Sequence, residues 1–263
     1  MILHPNIDPK IVSFDNGMAI TWYSLSYVLG ITLGWIYANK TRDHVNFGLS
    51  KNEISNFITY AMLGIIIGGR LGYVLFYDLE YHIKNPLDIL KTYNGGMSFH
   101  GGVIGVLLSS ILFSTIYKVN FLSLLDVASL VAPIGLLFGR IANFINCELY
   151  GRVTKVPWGV LFPYDDEPRH PSQIYESLTE GLLLLIILYV YGYRKNNIIY
   201  KGKVTGLFAI TYGGLRIFNE FFREPDSQIG YILKYFTLGQ VLSVPLIFIG
   251  FMIMRHSSKH YNE

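Results

Sequence analysis

The sequence predicts an all-α polytopic membrane protein: a single integral membrane domain over 1–263, with seven transmembrane helices and a small head region on the outer face. Three observations carry this. Only 15% of the 263 residues are charged, although 51% are hydrophobic and the mean hydropathy is +0.37. An ordinary soluble domain has a similar apolar share but about a quarter charged residues. Apolar runs of the length needed to cross a hydrocarbon core of roughly 30 Å, about 20 residues, recur along the chain, and the charges gather at the joints between them. A bundle dissolved in water has no reason to sort its residues in that way. The same figures exclude a disordered chain. A net charge of +3 with no long basic block speaks against a nucleic-acid partner.

The first span covers 18–38, running through Trp22, Tyr23 and Leu29 to Trp35. The second, 54–77, is interrupted by Gly68, Gly69 and Arg70; the third and fourth cover 100–117 and 122–141. A polar, proline-bearing loop region, 143–173, forms the head. The last three spans cover 177–193, 204–222 and 238–254. The first sixteen residues hold His, Pro and Asp where a cleavable signal would have a basic cluster before an apolar run, so the first span is expected to be retained. No internal repeat is visible, which gives no support to a duplicated transporter.

Orientation is set by Lys and Arg near the span ends. One set of joints holds Lys40, Arg42, Lys51, Lys118, Arg194, Lys195, Lys201, Lys203, Arg255 and Lys259. The other holds Lys10, Lys84, Lys91, Arg223 and Lys234, together with Arg152, Lys155 and Arg169 in the long loop. Long loops weigh little in this rule; without that loop the count is ten against five. The N-terminus is therefore expected outside and the C-terminus inside.

Three arginines, Arg70, Arg140 and Arg216, fall within or near the ends of apolar spans. Burying a guanidinium costs at least a few kcal/mol, so such a residue faces a cavity or a partner, or snorkels to the headgroups. Arg216 lies too far from its span end to snorkel easily. Around the arginines stand His100 in the run Gly95–Gly102, the run Gly139–Gly151, the run Arg169–Glu176, and the run Gly213–Asp226 with Glu220 and Arg223. The expected topology puts all of these on the outer side. Gly68, Gly69, Gly72, Gly101, Gly102 and Gly105 allow close helix approach, and Gly95 with Gly96 suits a turn.

Arginines at headgroup depth suit a phosphate, which accepts bidentate, charge-assisted hydrogen bonds. A phospholipid headgroup is the anion found there. Asn143, Asn146 and Glu148 either orient the arginines or hydrogen-bond a polyol. His100 is suited to accept a proton near neutral pH, or else it bonds a neighbouring loop. The single cysteine, Cys147, excludes an intramolecular disulfide and a cysteine-built zinc site. No cofactor or metal is expected, since no paired aspartates stand within the spans.

These motifs resemble the bacterial prolipoprotein diacylglyceryl transferase family. Its long signature, Gly-Arg-x-(Gly or Ala)-Asn-Phe-x-Asn-x-Glu-x-x-Gly, is matched in full by Gly139 to Gly151. The His-Gly-Gly motif is matched by His100–Gly102, the Gly-Gly-Arg-x-Gly-Tyr block by Gly68–Tyr73, and the Arg-His-Pro-Ser-Gln-x-Tyr-Glu block by Arg169–Glu176. Arg216 and Arg223 match the last arginine pair, and Trp22 and Tyr23 the first-span Trp-Tyr pair.

The resemblance implies seven spans and a reaction at the outer face of the bacterial cytoplasmic membrane. The diacylglyceryl group of phosphatidylglycerol passes to the lipobox cysteine thiol of a prolipoprotein, giving a thioether and glycerol 1-phosphate. The partners implied are that lipid, the prolipoprotein peptide and the bilayer. Arg140, Arg216 and His100 are the catalytic candidates. Tyr23, Asn143, Glu148, Gly151, Arg70, Glu220 and Arg223, with Arg140, are the substrate-binding ones. Cys147 occupies a position that the signature leaves variable, and the acceptor cysteine belongs to the substrate. The stretch between Gly151 and Arg169 is short and carries Asp165, Asp166 and Glu167, so the outer head available to guide a peptide is small. A lipid or anion transporter is the other class considered, but its polar groups would be spread through the membrane depth.

Overall fold

The computed structural model describes all residues except 1, 16, 17, 46, 93, 94, 164, 195–200, 226–229, 233, 234 and 260–263, with main chain alone at 43–45, 193, 194, 258 and 259. Lys195, Lys234 and Asp226, and the side chains of Arg194 and Lys259, thus lie outside the described residues.

Nine α-helical elements dominate the described residues. They are α1 (Trp22–Val45), α2 (Lys51–Tyr77), α3 (Leu79–Lys84), α4 (Phe99–Tyr117), α5 (Phe121–Ile145), α6 (Ser172–Glu176), α7 (Leu184–Arg194), α8 (Lys203–Asn219) and α9 (Leu238–Lys259). A π-helical segment, Ser177–Leu183, joins α6 to α7, and a 3-10 turn, Pro86–Leu90, follows α3. Among the described residues, five helices are long and apolar enough to cross a membrane: Lys51–Tyr77, Phe99–Tyr117, Phe121–Ile145, Ser172–Gly192 and Leu238–Ser257. The chain is a predominantly helical, multi-pass membrane protein. α1 and α8, two of the seven expected spans, stand apart from that set. α1 is 24 residues long but dilutes its apolar residues with Ser24, Ser26, Tyr27 and Asn39, and α8 has only 17 residues with Arg216 near its end.

Among the described residues, four short strands accompany the helices: β1 (Ile2–Leu3), β2 (Lys10–Ser13), β3 (Ala19–Thr21) and β4 (Val160–Leu161). β1 pairs in parallel with β4, and β2 antiparallel with β3. Main chain between helices must find partners for its N–H and C=O groups, and here the N-terminal segment and the loop after α5 supply them to each other. Ile2 N–H donates to Gly159 O at 2.9 Å and His4 N–H to Leu161 O at 3.0 Å.

Helix starts follow local chemistry. Ser50 and Glu53 form a reciprocal capping box at α2, with Glu53 N–H on Ser50 Oγ at 3.2 Å and Ser50 N–H on Glu53 Oε2 at 2.7 Å. Asn120 accepts Ser123 N–H at 3.2 Å to open α5. α2 and α4 then pack backbone to backbone. A Cβ on Gly64, Gly68, Gly101 or Gly105 would run into main-chain atoms of the facing helix, and one on Gly72 would stand 2.8 Å from Gly101 Cα. Small residues every fourth position permit that approach without an interior solvent to drive it. Gly102, by contrast, meets nothing nearer than 3.8 Å.

α5 is the hub, packed against α1, α2, α4, the π segment, α7 and α8. Where α5 begins, the core is apolar: Ile54, Phe57, Phe113, Leu124, Val127, Leu184 and Leu188 are buried. Asp126 of α5, 2% exposed, caps α8 from outside that helix, accepting Gly202 N–H at 2.6 Å, Thr205 N–H at 2.8 Å and Thr205 Oγ1–H at 2.7 Å. Where α5 ends, the ends of α6 and α8 and the loop after α5 come together, and the interior there is ionic. Large apolar side chains on the flanks, such as Phe76, Leu108, Phe248 and Phe251, are exposed, as lipid-facing residues are.

Candidate active site

Glu176, the last residue of α6, is wholly buried and gathers three guanidiniums. Arg140 Nε from α5 is 2.8 Å from its Oε2, Arg216 Nη1 from α8 is 2.8 Å from its Oε1, and Arg223 Nη1 is 3.5 Å from the same Oε1. Glu180 follows four residues later within the π segment and is also wholly buried. Its carboxylate stands 3.9 Å from Arg140 Nη2 and 3.7 Å from Arg216 Nη1. Glu220 ion-pairs with Arg216 Nη2. Asn219 Nδ2 donates to Glu180 Oε1 at 2.9 Å and to Thr179 Oγ1 at 2.8 Å. π segments often mark functional positions because they re-aim side chains out of the α register, and this one directs Glu180 towards the arginines. Arg140 and Arg216 keep 15% and 14% of their side-chain surface accessible, so their outer edges remain open to a ligand.

Arg152 underpins the cluster by donating to the main-chain oxygens of Arg223 at 2.9 Å and Glu220 at 3.2 Å. Gly151, the last signature glycine, has no room for a side chain: a Cβ would stand 2.6 Å from His170 O and collide with Phe222 O. The signature loop holds itself in place. Asn143, 5% exposed, donates to Glu148 Oε2 at 3.2 Å and accepts Glu148 N–H at 2.9 Å, while Gln173 Nε2 donates to Glu148 O at 2.6 Å. Cys147 and Leu149 both have φ of +57°, a left-handed conformation that non-glycine residues adopt at a cost of order 1–3 kcal/mol and that recurs at functional sites.

Arg70 stands elsewhere and is fully spoken for. Its Nε donates to Ile89 O at 2.9 Å, Nη1 to Gly95 O at 2.8 Å and Gly96 O at 3.1 Å, and Nη2 to Asp88 O at 2.6 Å and His82 Nε2 at 3.3 Å. The five donors of a guanidinium are thereby used. His82 Nδ1 faces Asp78 O at 2.8 Å and must donate to it, which leaves Nε2 as the acceptor. A cleft of about 190 Å³ opens beside Arg70, His82 and Gly96, and neither Arg140 nor Arg216 lines it.

His100 opens α4 after the Ser98 cap; its side chain is exposed and edge-on to Phe99. Among the described residues no hydrogen bond or ion pair joins it to the arginine cluster. Tyr23 begins α1 half-buried, its ring 5.5 Å from that of Tyr27. Cys147 Sγ approaches His4 Nδ1 at 3.6 Å. His4 Nδ1 already accepts Asn6 N–H at 3.1 Å, and Nε2 donates to Phe144 O at 3.0 Å, so no free base faces the thiol. Burial, and then the neighbouring Glu148 carboxylate, push that thiol above its usual value, the opposite of an activated cysteine.

The structure thus brings Arg140, Arg216, Arg223 and Glu220 together and joins Asn143, Glu148 and Gly151 in an adjoining loop. It leaves Arg70, His100 and Tyr23 outside the ion-paired cluster. The sequence reading did not single out Glu180 or Asn219, and met Glu176 only as the end of a motif. The signal was available: Glu180 is an acidic residue inside an apolar run, four residues from Glu176, and the cost that marks buried arginines marks buried glutamates equally.

Fold and site define a multi-pass membrane protein with a cationic, carboxylate-braced centre where α5, α6 and α8 meet. The model of the prolipoprotein diacylglyceryl transferase family matches residues 9–256. A relative from Rickettsia typhi, named phosphatidylglycerol–prolipoprotein diacylglyceryl transferase, is 53% identical over 261 residues, covering 98% of this chain and 100% of the relative. Relatives of the same name from Rickettsia canadensis and Rickettsia felis are 51% and 52% identical, covering 98% and 97% of this chain and 99% and 98% of their own lengths. The chain belongs to the prolipoprotein diacylglyceryl transferase family.

Proposed function

We propose that the chain transfers the diacylglyceryl group of phosphatidylglycerol to the lipobox cysteine thiol of prolipoproteins, the first step of bacterial lipoprotein maturation. The observation that carries this reading is the convergence of Arg140 and Arg216, from two helices, on one buried carboxylate at one end of an apolar bundle. Family membership and the shared name of the Rickettsia relatives support it.

In the reaction the substrate thiolate attacks the glyceryl carbon, an S–C bond forms, and the C–O bond to phosphate breaks. Glycerol 1-phosphate leaves with the bonding pair, gaining negative charge. Arg140 and Arg216 meet that charge with preorganised N–H donors, the largest electrostatic contribution to such a step. Arg223 and Glu220 set their orientation, and Asn143, Glu148, Gly151 and Tyr23 border the lipid headgroup. Arg70 contributes by holding the loop that carries Gly95 and Gly96 ahead of α4. His100 accepts the thiol proton.

The site faces outward, N-terminus outside and C-terminus inside, in the cytoplasmic membrane. α1 and α8 complete seven spans: both pack along candidate spans, and at 1.5 Å per residue they rise about 36 and 26 Å. The loop region 143–173 is the outer head.

The test is reconstitution. The purified chain in phosphatidylglycerol vesicles with a lipobox-cysteine peptide should yield a diacylglyceryl peptide and an equal amount of glycerol phosphate. Folded protein that releases none contradicts the reading. Within it, His100→Gln is expected to slow turnover and to recover partly as pH rises, because more thiol then ionises without help; a flat pH profile would leave His100 a scaffold.

A further inference from the structure

The ion-paired groups around Glu176 balance one another: Arg140, Arg216 and Arg223 face Glu176, Glu180 and Glu220. Glu180 is the odd member. It stands 3.7 and 3.9 Å from its arginines, close enough for Coulomb attraction but too far for a hydrogen bond. Its one short contact, Asn219 Nδ2 at 2.9 Å, would be accepted equally by a glutamine. Packing alone therefore does not call for a second carboxylate here, and burying one beside Glu176 is costly. What the charge adds is an anion already in residence beside two guanidiniums.

Such an anion matters for the proposed reaction, on which this inference rests. The phosphodiester substrate carries one negative charge, while a phosphomonoester product carries about −1.5 to −2 at pH 7. Three arginines answered only by Glu176 and Glu220 would keep a net positive charge, bind the product more tightly than the substrate and hold it, an affinity that gives nothing to turnover. We propose that Glu180 is a positioning residue that acts through Arg140 and Arg216 as their resident counter-anion, weakening their hold on the glycerol phosphate product so that it departs.

Glu180→Gln keeps the shape and the Asn219 hydrogen bond and removes the charge. Glycerol 1-phosphate is titrated calorimetrically into the full chain in detergent, wild type against variant. The variant is expected to bind at least about tenfold more tightly. In turnover, kcat and KM for phosphatidylglycerol should fall together, because release becomes limiting. Unchanged or weaker glycerol phosphate binding by folded variant overturns the proposal, since that is what a merely structural Glu180 predicts. Glu180→Met carries the same loss of charge in an unbranched side chain of similar volume, and gives up the Asn219 hydrogen bond as well. It is read in the same way should the glutamine variant not fold. The titration needs no turnover, so the two failures separate. A wild type that transfers no lipid sinks the transferase reading, whereas an active wild type whose variants bind glycerol phosphate no more tightly sinks this inference alone.

Discussion

At the end of the bundle where α5 begins, Phe57, Phe113, Leu124 and Val127 are almost wholly buried, and one carboxylate, Asp126, is satisfied by three short hydrogen bonds from the start of α8. At the end where α5 finishes, Glu176, Glu180 and Asn219 are just as buried, but among arginines. The same helices, α5 and α8, contribute to both. An apolar core closes by contact and needs no particular partner. A buried ion cluster holds only while every charge is answered, and losing one partner strands the rest. The difference teaches that one end of the molecule is held by apolar contact and the other by balanced charge.

That contrast can be broken from either side. The largest effect is expected at the ionic end: Arg140→Ala or Arg216→Ala should lower turnover on the order of 10²–10³-fold. Arg152→Ala should cost far less in the same reconstituted assay, since Arg152 hydrogen-bonds main-chain oxygens and lies over the Tyr231 ring, and equal losses would contradict the division of roles. At the apolar end, Leu124→Ala should cost about 3 kcal/mol of stability by leaving a cavity. It is read as a drop in the thermal midpoint in detergent, with turnover per folded molecule kept. Asp126→Asn should cost about 1–3 kcal/mol, because both carboxylate oxygens accept N–H donors and an amide would set its NH2 against one of them; again the specific activity of folded protein should hold. The smallest effect belongs to Cys147. Cys147→Ser should leave turnover essentially unchanged, and in the wild type alkylation of this thiol at pH 7 should be slower than that of a free cysteine and should quicken as pH rises. The sign follows from its raised value, which leaves less thiolate at neutral pH.

Much of the fold was legible because it depends on quantities that are local in sequence. Gly68, Gly72, Gly101 and Gly105, read as allowing close helix approach, form the tight α2–α4 seam, while Gly64 and the Ser50–Glu53 cap of α2 were equally local signals that went unread. The arginines were legible too, because a charge in an apolar run is anomalous wherever it points. Their partners were harder to assign. Arg70 and Arg140 read alike in sequence, yet one is saturated by carbonyls of the segment after α3 and the other faces a buried carboxylate. Which of these holds depends on chain far away: α6 supplies Glu176 to Arg140, whereas the turn after α3 closes over Arg70.

The sequence alone determined the solvent in which this protein lives, the family and the residue types that can meet a phosphate, since hydropathy, charge sorting and a long signature are properties of the linear chain. The tertiary structure alone decided that three arginines share one carboxylate, that a π turn turns Glu180 towards them, and that Arg70 of α2 is taken up by the carbonyls of the segment after α3. Pairing energies act through space over a few ångströms, and no spacing along the chain records which helix ends will be neighbours.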